Sequence, residues 1–165
     1  MTDGSSAVEV ITLAARRGIT ISTAESLTAG MVAASLADVA GASAVLEGGI
    51  VAYQSSVKHK LLGVDSVLLE SAGAVDPRVA AAMADGAREV FGTDVGVATT
   101  GVAGPSAHDG KPVGTVFTAI SGSAGTTTFE HHFEGDRNTI RIATREAVLA
   151  ELLAELRRGT NHERG

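Results

Sequence analysis

The chain has 165 residues, 44% of them hydrophobic and 19% charged, which is typical of one globular domain with a substantial core. The net charge of −6 and the 3% aromatic content disfavour nucleic-acid binding, because phosphate backbones attract basic surfaces and bases stack on aromatic rings. The absence of cysteine excludes disulfides and cysteine nucleophiles, and the absence of a ~20-residue apolar run or a signal-peptide pattern predicts a cytoplasmic protein without membrane contact.

Helix and strand patterns alternate along the chain and finish with two strands and a helix. Helices are predicted where apolar residues recur every three to four positions, and strands where short apolar or alternating runs occur. In chain order, the sequence predicts a helix at 5–17, a strand at 19–24, a helix at 28–39, a strand at 48–53, a short helix begun by Ser55 or Ser56, a helix at 77–91, strands at 94–99, 113–122 and 126–133, and a helix at 136–156. This order predicts a three-layer α/β/α fold with a mixed β-sheet.

One domain is expected to span residues 1–165. Its core is predicted at about 5–157, since no linker, repeat or low-complexity block divides the chain. The polar residues 158–165 are expected to form a disordered tail.

The most informative segment, residues 24–30, follows the first predicted strand and contains Ser26. A serine at a strand-to-helix junction lies near helix N–H groups and the positive end of the helix dipole, which suit an oxyanion or a phosphate. The same residues also fit an ordinary helix cap, because Ser and Thr are preferred there. Both interpretations stay open on this segment alone.

A second junction is the glycine-rich stretch 100–105, which follows a buried apolar strand. In open α/β sheets, ligands bind beyond the carboxyl ends of the strands, so Ser26 and Thr100 are expected to line one crevice. The stretch is not a P-loop, because Lys111 precedes Pro112 and a strand rather than a helix. A plain glycine turn is the alternative.

Lys58 falls in the first turn of the short helix predicted after residue 54. The helix dipole favours a neutral amine there, and desolvation lowers a lysine pKa further. A neutral lysine can take a proton from a serine hydroxyl, as in a Ser–Lys pair. The alternative is a solvated surface lysine, as expected for Lys60.

Three arginines, Arg137, Arg141 and Arg145, recur every four residues and form one stripe on the last predicted helix. Arg137 lies at the helix N-terminus, where an anion binds favourably. The alternative is a solvated face paired with acidic residues.

The histidines do not have the spacing of metal ligands, and the adjacent His131 and His132 face opposite sides of a predicted strand, so no metal site is expected.

Six short motifs occur in an order that is hard to obtain by chance, and they span about residues 19 to 156. They are Ala24-Glu25-Ser26 with Thr28 and Gly30; Tyr53 with Lys58, then Leu62-Gly63-Val64; Gly73-Ala74-Val75; Thr100-Gly101-Val102-Ala103-Gly104-Pro105; Lys111-Pro112-Val113-Gly114-Thr115-Val116; and Gly135-Asp136-Arg137 with Arg141. In these motifs the chain resembles the C-terminal domain of the competence/damage-inducible protein CinA, which also occurs alone as nicotinamide-nucleotide amidase.

The resemblance implies an α/β/α domain without a metal or other cofactor, and it is compatible with a homodimer. It implies that the substrate is nicotinamide mononucleotide, whose carboxamide is hydrolysed to nicotinate mononucleotide and ammonia in pyridine-nucleotide recycling. Carried over by position, the catalytic set is Ser26, Lys58, Tyr53 and Thr100. The substrate-binding set is Thr28, Gly30, Gly101, Ala103, Gly104, Arg137 and Arg141.

A mechanism follows from this assignment. Ser26 attacks the amide carbon with neutral Lys58 as base, and N–H groups at the start of the helix predicted from Thr28 hold the oxyanion. Tyr53 and Thr100 position substrate or water. The arginines of the last helix and the glycine-rich loop hold the 5′-phosphate.

The chain departs from the family pattern at Leu27 and Ala29, where the family commonly has cysteine and glycine, and after Tyr53, where an asparagine often occurs. These differences raise an alternative: a catalytically weak nucleotide-sensing or partner-binding domain linked to competence or the DNA damage response. Metal-dependent phosphate chemistry ranks last, because the junctions offer only Glu25 and Asp109 as carboxylates.

Overall fold

A five-stranded mixed sheet organises the structure, a computed structural model that describes residues 5–159. In chain order the elements are α1 (Ser5–Arg17), β1 (Ile21–Glu25), α2 (Met31–Ala37), a 3-10 turn (Ala42–Ala44), β2 (Leu46–Val51), α3 (Ser55–Leu62), α4 (Ser66–Ala72), α5 (Pro77–Phe91), β3 (Val95–Gly101), β4 (Thr115–Gly122), β5 (Gly125–His132) and α6 (Arg137–Gly159). Helices cover both faces of the sheet. The prediction of a three-layer α/β/α fold with a mixed sheet is therefore confirmed.

The strand order β2-β1-β3-β4-β5 brings the carboxyl ends of three strands to one edge. Strand β1 pairs in parallel with both β2 and β3, and the remaining pairs are antiparallel. At the end of β1, Glu25 pairs with Val51 of β2 and with Thr99 of β3. The residues that follow these three positions in the chain therefore meet at one edge, as expected for a parallel core.

The strands send alternate side chains into apolar clusters on the two faces of the sheet. Ile21 and Val97 pack with α1, α2 and α6 on one face, whereas Ala24 and Ala98 pack with α5 on the other. Small residues let α5 lie close to the sheet: a Cβ added at Gly96 would come within 2.1 Å of a backbone carbonyl oxygen of α5. Burial against both layers holds the sheet edge in place.

Helix α2 begins three residues later than the helix predicted from Thr28. Ala29 and Gly30 both have positive φ values, +47° and +100°, and a right-handed helix cannot include such residues. The first helical residue is consequently Met31. The segment 26–30, which we call the serine turn, is thus a turn between β1 and α2.

Two further boundaries correct the sequence analysis. Gln54, not Ser55 or Ser56, occupies the cap position of α3, and it makes no side-chain capping bond. Helix α4 was missed, although Asp65 before it accepts a hydrogen bond from Val67 N at 2.8 Å, which is a recognisable helix start.

The two ends of the described chain are helical. Helix α6 runs to Gly159, past the predicted end at 156, so residues 158 and 159 of the predicted tail are helical and the rest of it lies outside the described residues. Within residues 5–159, no helix has the length and apolar character needed to cross a bilayer.

Candidate active site

The sheet edge formed by β1, β2 and β3 opens into a cavity of about 370 Å³. Four segments form its wall: the serine turn, the chain around the start of α3, the turn before α5, and the loop that follows β3. A residue at the start of α6 closes one side. The lining residues are Ser26, Leu27, Tyr53, Lys58, Ala74, Val75, the segment 100–108, and Arg137.

Lys58 lies at the cavity wall with its side chain 0% exposed. Its Nζ lies 3.2 Å from Ser26 Oγ, 2.8 Å from the carbonyl oxygen of Ala52 and 3.1 Å from that of Tyr53. Burial lowers the pKa of the Lys58 amine from 10.5 to about 8, and the charge of Asp109 opposes that shift. The interpretation of Lys58 as a solvated surface lysine is therefore wrong.

The three acceptors around Nζ suit both protonation states of Lys58. A charged ammonium has three N–H donors, one for each acceptor. A neutral amine has two, which the carbonyls of Ala52 and Tyr53 can accept, and its lone pair then faces the hydroxyl proton of Ser26. Lys58 can thus take the serine proton without moving its side chain.

Glu25, which is 1% exposed, holds the serine turn from inside the protein. Its Oε1 accepts hydrogen bonds from Thr28 Oγ1 at 2.7 Å and Val32 N at 2.8 Å, and its Oε2 accepts one from Ala33 N at 3.1 Å. Val32 and Ala33 are in the first turn of α2, where the helix dipole stabilises a carboxylate. Glu25 therefore occupies the helix N-terminus.

The expectation that the start of this helix holds an oxyanion is wrong for that reason. Met31 N donates to the carbonyl of Thr28, and the next two N–H groups donate to Glu25. The backbone N–H group of Leu27, a residue of the cavity lining, has no hydrogen-bond partner within residues 5–159. This group, which follows Ser26 directly, remains as a donor for a ligand oxygen.

Three residues of the predicted substrate-binding set lie outside the cavity lining and belong to or support the serine turn. Thr28 is fully buried and bonds to Glu25 and to the hydroxyl of Thr99. Gly30 is the cap residue of α2. Arg141 Nε donates to the carbonyl of Leu27 at 2.8 Å, so it ties α6 to the turn.

Arg137 bridges two sides of the cavity. Its Nη2 donates to the phenol oxygen of Tyr53 at 2.7 Å, and its Nη1 donates to the carbonyl of Gly104 at 2.6 Å. Asp136 caps α6 as predicted, because its Oδ1 accepts a hydrogen bond from Thr139 N at 2.8 Å. A permanent positive charge is thus fixed at a helix start beside the cavity.

The glycine-rich loop (residues 102–110) starts where β3 ends, and its residues 102–108 line the cavity. Thr100 and Gly101 precede it in the lining, and Thr100 Oγ1 donates to the carbonyl of Ala74 at 2.8 Å. The backbone N–H groups of Ala103 and Gly104 have no partner among the described residues. They are therefore free to bind an anionic or carbonyl oxygen of a ligand.

Two carboxylates that were considered as metal ligands have other partners. Glu25 binds α2, and Asp109 Oδ2 accepts a hydrogen bond from Ala74 N at 2.9 Å. In the part of the chain that the structure describes, no cluster of three or more His, Cys, Asp or Glu side chains could hold a metal ion. His131 is 2.7 Å from a carboxylate oxygen of Glu151 on α6.

Residues 4–156 match the family model of the CinA C-terminal domain. The chain belongs to this family. It is 47% identical over 132 residues to the putative competence-damage inducible protein of Desulforamulus reducens and 49% identical over 132 residues to a CinA-like protein of Frankia casuarinae. These matches cover 80% of this chain but 32% and 30% of those proteins, so the chain spans about a third of the length of the curated relatives.

Solved structures of the CinA family share the fold over almost their whole length. The competence/damage inducible protein CihA from Agrobacterium tumefaciens superposes with a TM-score of 0.89 and 36% identity, covering 93% of this chain and 95% of that one. A CinA superfamily protein from Klebsiella pneumoniae gives a TM-score of 0.91 at 29% identity, covering 96% and 99%. The resemblance stated from the sequence is confirmed at the level of the family and the fold.

Proposed function

We propose that this domain hydrolyses the carboxamide of nicotinamide mononucleotide to nicotinate mononucleotide and ammonia, with Ser26 as nucleophile and Lys58 as base. The observation that carries the proposal is the 3.2 Å separation of Lys58 Nζ and Ser26 Oγ in the wall of a cavity. With a pKa of about 8, roughly one lysine in ten is neutral at pH 7, which is enough for general-base catalysis.

The first half of the reaction forms an acyl-enzyme. Ser26 Oγ attacks the carboxamide carbon while its proton passes to Lys58 Nζ, and the carbonyl electron pair moves onto oxygen. The free N–H group of Leu27 stabilises that oxyanion, a contribution of ~3 kcal/mol. Lys58 then protonates the nitrogen, the C–N bond breaks, and ammonia leaves a nicotinoyl ester on Ser26.

The second half releases the acid. A water molecule attacks the ester carbon, and Lys58 takes one of its protons. The tetrahedral intermediate collapses, Lys58 returns the proton to Ser26 Oγ, and nicotinate mononucleotide leaves as the acid, whose proton passes to solvent and is taken up by the released ammonia. Lys58 ends in its starting protonation state, so the cycle consumes only water.

The remaining cavity groups suit a nucleotide that carries a phosphate. Arg137 supplies a fixed positive charge at the N-terminus of α6, and the free N–H groups of Ala103 and Gly104 lie in the same wall. Tyr53 and Thr100 line the same cavity as Ser26. The volume of about 370 Å³ lies within the range of small-ligand sites.

The test is ammonia release from nicotinamide mononucleotide by purified wild-type protein, Ser26→Ala and Lys58→Met. We expect turnover in the wild type and a loss of at least ~10³-fold in each variant, because each removes one half of the reacting pair. Ser56→Ala and Lys60→Met change exposed neighbours on α3 and are the matched controls. Near wild-type turnover in Ser26→Ala or Lys58→Met would contradict the assignment, provided that thermal melting shows both variants to be folded.

A non-catalytic nucleotide-sensing domain is the second candidate, and Leu27 favours it. Leu27 lines the cavity beside Ser26, its buried side chain belongs to an apolar cluster with Ala103 and Ile140, and the family commonly has cysteine at this position. This role predicts that nicotinamide mononucleotide raises the melting temperature of the wild type while no ammonia forms. Leu27→Cys then discriminates between the two, since restored turnover would identify Leu27 as the cause of lost activity.

A further inference from the structure

Asp109 has no role in the mechanism above, yet its placement is costly. Its backbone is in the left-handed region, with φ at +51°, where non-glycine residues are uncommon. Its carboxyl group lies against Gly73, where an added Cβ would come within 2.7 to 2.8 Å of the Asp109 side chain. The absence of a side chain at Gly73 leaves room for this carboxylate.

The carboxylate holds a residue of the cavity wall. Ala74 donates its N–H to Asp109 Oδ2 at 2.9 Å, and its carbonyl accepts the hydroxyl hydrogen of Thr100 at 2.8 Å. Ala74 is therefore fixed from two sides, by the glycine-rich loop and by the end of β3. Three segments that line the cavity are joined at Ala74, and Asp109 supplies one of the two contacts.

Asp109 is also the carboxylate whose charge acts on Lys58. Among residues 5–159, the hydrogen-bond partners of Lys58 Nζ are all uncharged, and no carboxylate of this part of the chain forms an ion pair with its ammonium. The negative charge of Asp109 raises the pKa of Lys58 and thereby opposes the effect of burial. The other titratable or charged groups that line the cavity with Lys58 are Tyr53, His108 and Arg137.

We propose that Asp109 is a positioning residue of this site, which holds the cavity wall through Ala74 and moves to higher pH the range in which Lys58 can activate Ser26. The kinetic consequence rests on the proposed function, whereas the effect on Lys58 protonation does not. The direction follows from charge: a nearby carboxylate stabilises the ammonium and reduces the neutral fraction at a given pH.

Asp109→Asn is the informative variant, because it removes the negative charge, and with it the ion-pair contact to His108 Nε2 at 3.5 Å, and keeps the size and shape of the side chain. Asparagine tolerates the left-handed backbone, and its amide oxygen can still accept the hydrogen of Ala74 N. We expect the pKa of Lys58 to fall below about 8. A decrease of half a unit would raise the neutral fraction at pH 7 about threefold and move the acid limb of the activity profile to lower pH.

Protonation is measured by NMR of protein labelled with 13C at lysine Cε, which needs no catalytic activity. The sequence has only three lysines, Lys58, Lys60 and Lys111, so conservative Lys→Arg replacement of the last two assigns the signals. Lys60, which is exposed, is the internal reference. Glu70→Gln removes an exposed carboxylate from α4 and should leave the Lys58 titration unchanged.

An unchanged Lys58 titration midpoint in Asp109→Asn would overturn the proposal. It would do so even if turnover fell, because that fall would then have a structural cause alone. Asp109→Gly is the second variant, since glycine fits the left-handed backbone and removes both the charge and the hydrogen bond. It should lower the Lys58 midpoint by a similar amount and also raise KM. If the wild type forms no ammonia, the proposed function fails while the NMR titration still decides the role of Asp109.

Discussion

Two segments leave the same edge of the sheet from adjacent parallel strands, and they are held in opposite ways. The serine turn is held from inside by Glu25, which is buried and accepts hydrogen bonds from the first turn of α2. The glycine-rich loop is held from outside, by the partly exposed side chains of Asp109 and Arg137. Buried charge-assisted bonds fix geometry strongly and exposed ones weakly, so the nucleophile is on the more rigid wall.

Glu25→Gln is expected to have the largest effect and tests the rigid side of this comparison. A glutamine brings an NH₂ group against N–H donors of α2 and leaves a buried donor unsatisfied, at a cost of ~3 kcal/mol in the free energy of unfolding. Urea denaturation measures this loss. Glu47→Gln changes an exposed glutamate of β2 and should cost less than ~0.5 kcal/mol. Equal losses in the free energy of unfolding in the two variants would show that Glu25 does not hold the serine turn more firmly than an exposed side chain does.

The second prediction concerns the loss of stability that the buried amine of Lys58 causes next to the serine turn. Its folded pKa of about 8 lies below its ordinary value of 10.5, so the unfolded chain binds more protons between these values, and stability rises with pH across that window. The penalty is fully present below pH 8 and amounts to ~3 kcal/mol. Lys58→Met should therefore unfold with a free energy that changes less between pH 8 and 10.5.

Urea titrations of both proteins at pH 7 and at pH 10 measure this difference. We expect Lys58→Met to be at least as stable as the wild type at pH 7 and to lose that advantage at pH 10. Lys60→Met, at an exposed position on α3, should follow the wild type at both values. A wild-type stability that is flat from pH 8 to 10.5 would contradict the depressed pKa.

The third and smallest effect on stability is expected at Arg137, which holds the glycine-rich loop. Arg137→Gln should change the free energy of unfolding by less than ~0.5 kcal/mol, because its two bonds are exposed. It should raise KM for nicotinamide mononucleotide about 10- to 100-fold with little change in kcat, since a charge-assisted phosphate contact contributes ~1.5–3 kcal/mol. Nicotinamide riboside, which lacks the phosphate, should show no such change.

Arg145→Gln is the matched control, because Arg145 lies on the same stripe and pairs with Glu146 rather than with the cavity. A KM effect of equal size in both variants would show that the charge of α6 acts at long range and not through the cavity mouth. A fall in kcat without a change in KM in Arg137→Gln would instead indicate that Arg137 acts on the reaction at the serine turn and not on phosphate binding.

Elements with a strong local signal were predicted closely. Helix α5 has its predicted bounds, since Asp76 caps it and Pro77 begins it. The hairpin was predicted around its observed turn, where Gly122 pairs with Gly125. The start of α2 was misplaced because Ala29 adopts a positive φ. An alanine within a helical pattern gives no sign of such a backbone conformation. Local sequence preferences do not report such turn geometry.

The role of Glu25 was also missed, although a signal exists. A glutamate that ends a buried strand needs donors nearby, and a helix beginning shortly afterwards can supply them. The role of Asp109 has a weaker signal in the sequence, because the N–H group that it accepts belongs to Ala74, in the turn before α5 and 35 residues away in the chain. Contacts at that separation are determined by how the layers pack.

The sequence by itself determined the order of the elements, the α/β/α class and the family, because periodicity, caps and ordered motifs act within short segments. The tertiary structure alone decided that Lys58 is buried and lies 3.2 Å from Ser26, a contact across 32 residues. It also decided that the helix N-terminus behind Ser26 binds Glu25 and not a ligand. The physical reason is that desolvation and the direction of free N–H groups depend on neighbours that only folding brings together.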